Sequence, residues 1–183
     1  MKGFRSFLVL LVIAAGLGGF VYYDSKREPA NPSKQEKVFA GLEAGTIEQV
    51  TITSASGDTT TAQKQGSAWQ LTAPAAAPAD EAELSGITSN LASLDVQRVV
   101  DERATDFKEY GLEPARINVA FKAAGKEQAL LLGNKTPTGG DMYARLPGAP
   151  RVFLVSSFLE ATFNKSTFDL RDKTILKIDR DKV

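Results

Sequence analysis

Cysteine and histidine are both missing from the 183 residues of this chain, and those two absences remove several kinds of chemistry. Without them there is no thiolate nucleophile, no Ser-His-Asp arrangement, no histidine general base, no Cys or His zinc site and no disulfide. An excess of one charge is missing too. From Lys37 onward the chain carries 17 basic and 19 acidic residues, with no basic run. Nucleic acid, which demands a positive patch, is therefore not an expected partner. No catalytic, cofactor or metal residues emerge, and carboxylates, Lys and Tyr are the reactive groups that remain.

What the chain does have is one long uncharged run. Eighteen residues from Ser6 to Tyr23 carry no charge, between Lys2 and Arg5 on one side and Asp24, Lys26, Arg27 and Glu28 on the other. As a helix this run rises about 27 Å, close to the hydrocarbon thickness of about 30 Å. The basic start and small residues also suit a cleaved secretory leader. Against that, apolarity resumes at Phe20-Val21-Tyr22-Tyr23, where a cleaved leader turns polar, and paired tyrosines suit the headgroup layer. We therefore read residues 1–23 as a cytoplasmic flank plus transmembrane anchor. The positive-inside rule keeps the N-terminus in the cytoplasm and places the rest beyond a cell inner membrane, periplasmic or extracellular. Ala14 with Gly18, and Ala15 with Gly19, have the spacing that lets two membrane helices approach closely. The plain alternative is small residues in an ordinary span.

Residues 24–36, rich in Pro, Ser, Lys and Glu, read as a linker. The folded part then shows two successive strands-then-helix patterns, over 37–100 and 101–173. In the first, Val50-Thr-Ile52-Thr, a turn at Gly57-Asp58, the threonine-rich stretch to Lys64, and Trp69-Gln-Leu71 predict a small antiparallel meander. Asp80 with Glu83 predicts a helix start, and Leu84, Ile87, Leu91 and Leu94 fall on one helical stripe that should lie on the meander. In the second, Asp106 to Gly111 reads as one helical turn. Strands follow at 117–121, 128–132, 142–145 and 152–155, then a Ser157-x-x-Glu160 capping box opens a helix. The expected fold class is α+β: two small antiparallel sheets, each covered by a helix, preceded by the transmembrane helix.

Ordered short motifs run through the body. They are Gly66-Ser-Ala-Trp69-Gln-Leu71, Leu91-Ala-Ser-Leu94, Arg98-Val99-Val100, Tyr110-Gly111-Leu112-Glu-Pro114, Leu132-Gly133-Asn134, Tyr143-Ala144-Arg145, Val152-Phe153-Leu154-Val155 and Leu170-Arg171-Asp172-Lys173. In this order and spacing the chain resembles the bacterial family called domain of unknown function 4340. That resemblance implies a membrane-tethered extracytoplasmic protein, in some cases encoded beside components of an ABC transporter of the type associated with gliding motility, and no established activity. It also implies that the segment after Leu170 opens a further sheet, which makes residues 174–183 an orphan first strand or the stump of a longer protein.

The candidate interaction or structural-clamp residues are Arg171, Asp172, Trp69, Tyr143 and Arg145. Arg171 with Asp172 comes first, because an arginine fixed after a helix can tie loop carbonyls or a carboxylate together. Trp69 suits either a sugar-stacking platform or a core anchor, and its strand neighbour Leu71 favours the core. The loop Gly133–Gly140 lacks the order of a phosphate-binding loop and reads as a sheet connection. Asp101, Glu102, Asp106 and Glu109 cluster, which leaves a carboxylate-dependent enzyme or binder of cell-envelope glycans as the alternative. The expected function is binding or assembly beside protein partners in a membrane complex, with no cofactor; any small-molecule ligand is unknown.

Overall fold

The computed structural model describes residues 36–174. The predicted anchor, most of the linker and the tail beyond Thr174 lie outside the described residues. Among the described residues no helix is long and apolar enough to cross a membrane.

The strands do not divide into two sheets. They are β1 (Ile47–Thr53), β2 (Thr59–Gln65), β3 (Ala68–Ala73), β4 (Ala77–Pro78), β5 (Arg98–Asp101), β6 (Ile117–Ala123), β7 (Lys126–Lys135), β8 (Asp141–Arg145) and β9 (Val152–Ser156). All belong to one nine-stranded antiparallel sheet in the order β4-β3-β2-β1-β6-β7-β8-β9-β5. The correction to the expected architecture lies at one seam: β1 pairs with β6, setting Val50 against Phe121 and Ile52 against Val119. Two separate meanders would each leave a long edge of unpaired N–H and C=O groups, and pairing β1 with β6 removes both edges at once.

Helices cover one face. α1 (Glu81–Ser93) starts at Asp80, whose side chain accepts from the N–H groups of Ala82 and Glu83. Its buried stripe of Leu84, Ile87 and Leu91 packs on a core fed by both halves, including Ile52, Trp69, Val119 and Leu132. The second helix of the expected fold is two short pieces, α2 (Leu159–Phe163) and α3 (Thr167–Leu170). The capping box predicted at Ser157 and Glu160 is absent from α2. The Ser157 hydroxyl donates to the carbonyl of Gly139, and the first position of the helix is preceded by Phe158, without a side-chain cap. A reciprocal box forms instead at Ser166 and Asp169, opening α3. The helical turn expected over Asp106–Gly111 is a non-helical turn.

Candidate functional site

Alternation along the strands sends two sets of side chains to opposite faces. Leu130, Leu132, Met142, Ala144, Phe153 and Val155 enter the helix-covered core, so Leu131, Tyr143, Arg145 and Val152 stand on the other face. An arch formed by residues 102–116 folds over that second face at the β7-β8-β9 end. Ala104 and Leu112 bury themselves against Val152, while Phe107 and Tyr110 pack by Leu131 and Tyr143. The Tyr110 and Tyr143 rings meet with centroids 5.0 Å apart. The Arg145 guanidinium lies 3.9 Å over the Phe107 ring, and its buried Nε has no hydrogen-bond partner, so the ring is the compensating contact for that charge. The Tyr110 phenol is pushed up to about 12 by its hydrogen bond to Glu109, then by burial and nearby negative charge.

Two glycines lock the arch to the sheet. Gly111 sits at φ +67°, and a Cβ there would fall 2.6 Å from the Asn134 side chain. Gly133 in β7 is tighter still: a Cβ would fall 2.1 Å from the Tyr110 carbonyl oxygen. Because neither glycine has a side chain, the chains approach closely enough for the Asn134 N–H to donate to that carbonyl at 2.8 Å. The Tyr110-Gly111-Leu112 and Leu132-Gly133-Asn134 motifs are thus fitted to each other across the sheet, a pairing that neither string shows by itself.

An ion network supports the lock from the helix side. Glu160 accepts from Arg116 at 2.7 Å and pairs with Lys135 at 2.5 Å, and Arg116 also donates to the Gly133 carbonyl at 3.3 Å. The hydrogen bond from Lys135, seconded by Arg116, holds the Glu160 carboxyl below its ordinary value of 4.5, against the opposing effect of burial. A carboxylate held low stabilises the fold above the unfolded value and loses that contribution as pH falls through the folded one. We expect Glu160→Gln to cost about 1 kcal/mol at neutral pH, because both cations are partly exposed. The difference from wild type should vanish in chemical denaturation as pH drops below 4.5 toward the lowered value.

The other candidate residues have structural positions elsewhere. Trp69 is 5 % exposed and belongs to the core; its backbone N–H donates to the Glu81 carboxylate at 2.6 Å. Arg171 and Asp172 strap the end of the sheet. The Asp172 N–H donates to the Pro78 carbonyl at 2.9 Å, and the Asp80 N–H to the Leu170 carbonyl at 2.8 Å. The strap runs through the backbone, while the Arg171 side chain is exposed. Thus the structure brings Tyr143 and Arg145 together under the arch and leaves Trp69 and the strap apart from them. The clustered carboxylates are divided among local tasks: Asp101 and Asp106 each accept from the N–H two residues on, Glu102 faces Arg151 at 3.3 Å, and Glu109 holds Tyr110.

Beyond the arch, the second face of β3-β2-β1-β6 carries no covering element among the described residues. Its surface is polar: the Thr51 and Thr61 hydroxyls meet at 3.1 Å, as do those of Thr53 and Thr59, beside the Gln49 and Gln63 pair.

The profile of a family described as Domain of unknown function (DUF4340) matches residues 69–183. The chain belongs to the DUF4340 family. No curated protein and no solved structure matches it. The arch, both lock glycines and the strap all fall inside the DUF4340 match. β1 and β2 precede it, yet they separate β3 from β6 in the sheet. The matched DUF4340 span alone therefore leaves a two-strand gap in this architecture.

Proposed function

We propose that this DUF4340 protein is a single-pass, membrane-tethered extracytoplasmic binding or assembly factor, accessory to an ABC-transporter-type envelope complex. The observation that carries the reading is the uncharged run from Ser6 to Tyr23, long enough to span a bilayer, ahead of an independent body. The body supports it with a rigid sheet that leaves a broad polar face open beside an aromatic arch, a form suited to reversible contact with another protein. Residues on the open face are held by their own strand, so contact there needs little ordering of loops.

The test is cross-linking of the full chain in its native cells, followed by detergent extraction and affinity capture. Repeated recovery of the same integral membrane protein, lost when Thr51 and Gln63 are replaced by bulky tryptophans, is the expected result. Capture of the chain alone, or its recovery as a freely soluble species with the N-terminal run attached, overturns the proposal.

A further inference from the structure

The two edges of the sheet are treated differently. At one end β4 contains Pro78 and is bridged by the strap from Leu170 to Asp172. At the other end, β5 pairs with β9 on one side and with no strand of the described residues on the other. β5 reads Arg98-Val99-Val100-Asp101, and Val100, 38 % exposed, is one of the exposed large apolar side chains.

From this edge we infer that β5 pairs with β5 of a second copy, joining two sheets about a two-fold axis. Read antiparallel against itself, with the bulged Val100 and Asp101 together filling one position, the strand sets Arg98 across from Asp101 of the other copy and Val99 across from its own counterpart. In a regular strand Arg98 and Asp101, three positions apart, would face opposite sides of the sheet. A bulge between Val99 and Asp101 changes that. Arg98 pairs with Leu154 and Asp101 with Val152, two β9 residues on the same face, so both charges come to one side. With the two-fold axis perpendicular to the sheet, that side is shared by both copies, and two opposite-charge pairs form by symmetry. Neither Arg98 nor Asp101 has an ion-pair partner among the described residues; one Asp101 oxygen accepts from the Arg103 N–H at 2.8 Å. Bulges and charges also serve to keep edges unpaired. This edge differs in that its charges are opposite in sign and self-complementary in order, where a repelling edge carries charges of one sign.

The strand has four residues, small against the roughly 800 Å² per partner of a standard interface. Pairing is therefore weak in dilute solution. It gains from confinement of both copies to one bilayer, a gain that rests on the tether proposed above.

The absence of native cysteine gives a clean assay. Val100→Cys in the full chain, treated in isolated membranes of the cells with a short bis-maleimide, should yield a covalent dimer, with Lys126→Cys at the exposed turn between β6 and β7 as the control. In the Val100→Cys background, Arg98→Asp alone or Asp101→Arg alone sets like charges opposite each other and should lower the dimer about tenfold. Co-expressing the two single variants with different tags restores both opposite pairs and should recover a mixed dimer. A dimer yield no higher than that of Lys126→Cys, or single reversals without effect, or no recovery in the mixture, overturns the proposal. Fractionating the same cells reports separately on the tether, so a failure of membrane attachment is distinguishable from a failure of strand pairing.

Discussion

Replacing Gly133 with alanine is expected to destabilise the body by about 3 kcal/mol or more, a fall in melting temperature of about 10 °C for a domain of this size. The added methyl would stand 2.1 Å from the Tyr110 carbonyl oxygen, and a further contact waits at 3.0 Å on the Leu112 side chain. Both obstacles belong to the arch, and one is backbone, so no rotamer change relieves the clash. The arch must lift, breaking the Asn134 N–H to Tyr110 bond and uncovering Leu112 and Val152. Gly57→Ala is the contrast. Unlike Gly133 it lies at positive φ, +90°, but nothing stands within 4 Å of its Cβ, so it should cost only about 1–2 kcal/mol of backbone strain. Thermal melts of the two variants, with near-ultraviolet circular dichroism reporting the Tyr110 and Tyr143 pair, check both values. An equal effect at Gly133 and Gly57 would mean that the lock contributes nothing.

The second large effect is expected at the seam between the two halves. Ile52 is 1 % exposed on β1, opposite Val119 on β6, and packs in the core shared with α1. Ile52→Asp places a carboxylate among apolar side chains with no cation to meet it. We expect more than about 5 kcal/mol of destabilisation, enough to consume most of the stability of a typical domain and leave no folded protein. Ile52→Ala, which only removes packing, should cost about 2–5 kcal/mol and stay folded. Thr51→Asp, one residue away on the open face, loses the Thr61 hydroxyl contact and some strand propensity and should cost only about 1 kcal/mol. Urea titrations of the three variants test the ranking, and a mild Ile52→Asp would contradict burial of the seam.

Local features were legible in the sequence because local physics determines them. The stripe from Leu84 to Leu91 and the Asp80 cap set α1, and alternation in Val50-Thr-Ile52 and Ile117-Asn-Val119 set two strands. The joining of those strands was not legible. β1 and β6 present the same alternation whether they end two sheets or meet in one, and periodicity does not say which edge finds which. Ser157-x-x-Glu160 fits a capping box as a string, but Glu160 is drawn to Arg116 and Lys135, cations supplied by distant strands. Tyr143 and Arg145 were visible as candidates. Their partners Tyr110 and Phe107 were not, because the arch reaches them across the sheet. Each of the two motifs carries a glycine, the residue that a close approach of backbones requires, but nothing in either string names the other as its partner.

Denaturation followed separately in the two halves tests the single nine-stranded body most directly. Trp69, the only tryptophan, reports the first half by fluorescence. Tyr110 and Tyr143, the only tyrosines after Tyr23, report the second by near-ultraviolet circular dichroism at the tyrosine band, with the Trp69 contribution fixed from its longer-wavelength indole bands. With the full chain in mild detergent, a continuous sheet predicts one urea midpoint for both probes, shifted together by Ile52→Ala. Two separate midpoints, with Ile52→Ala moving only the tryptophan signal, would contradict it.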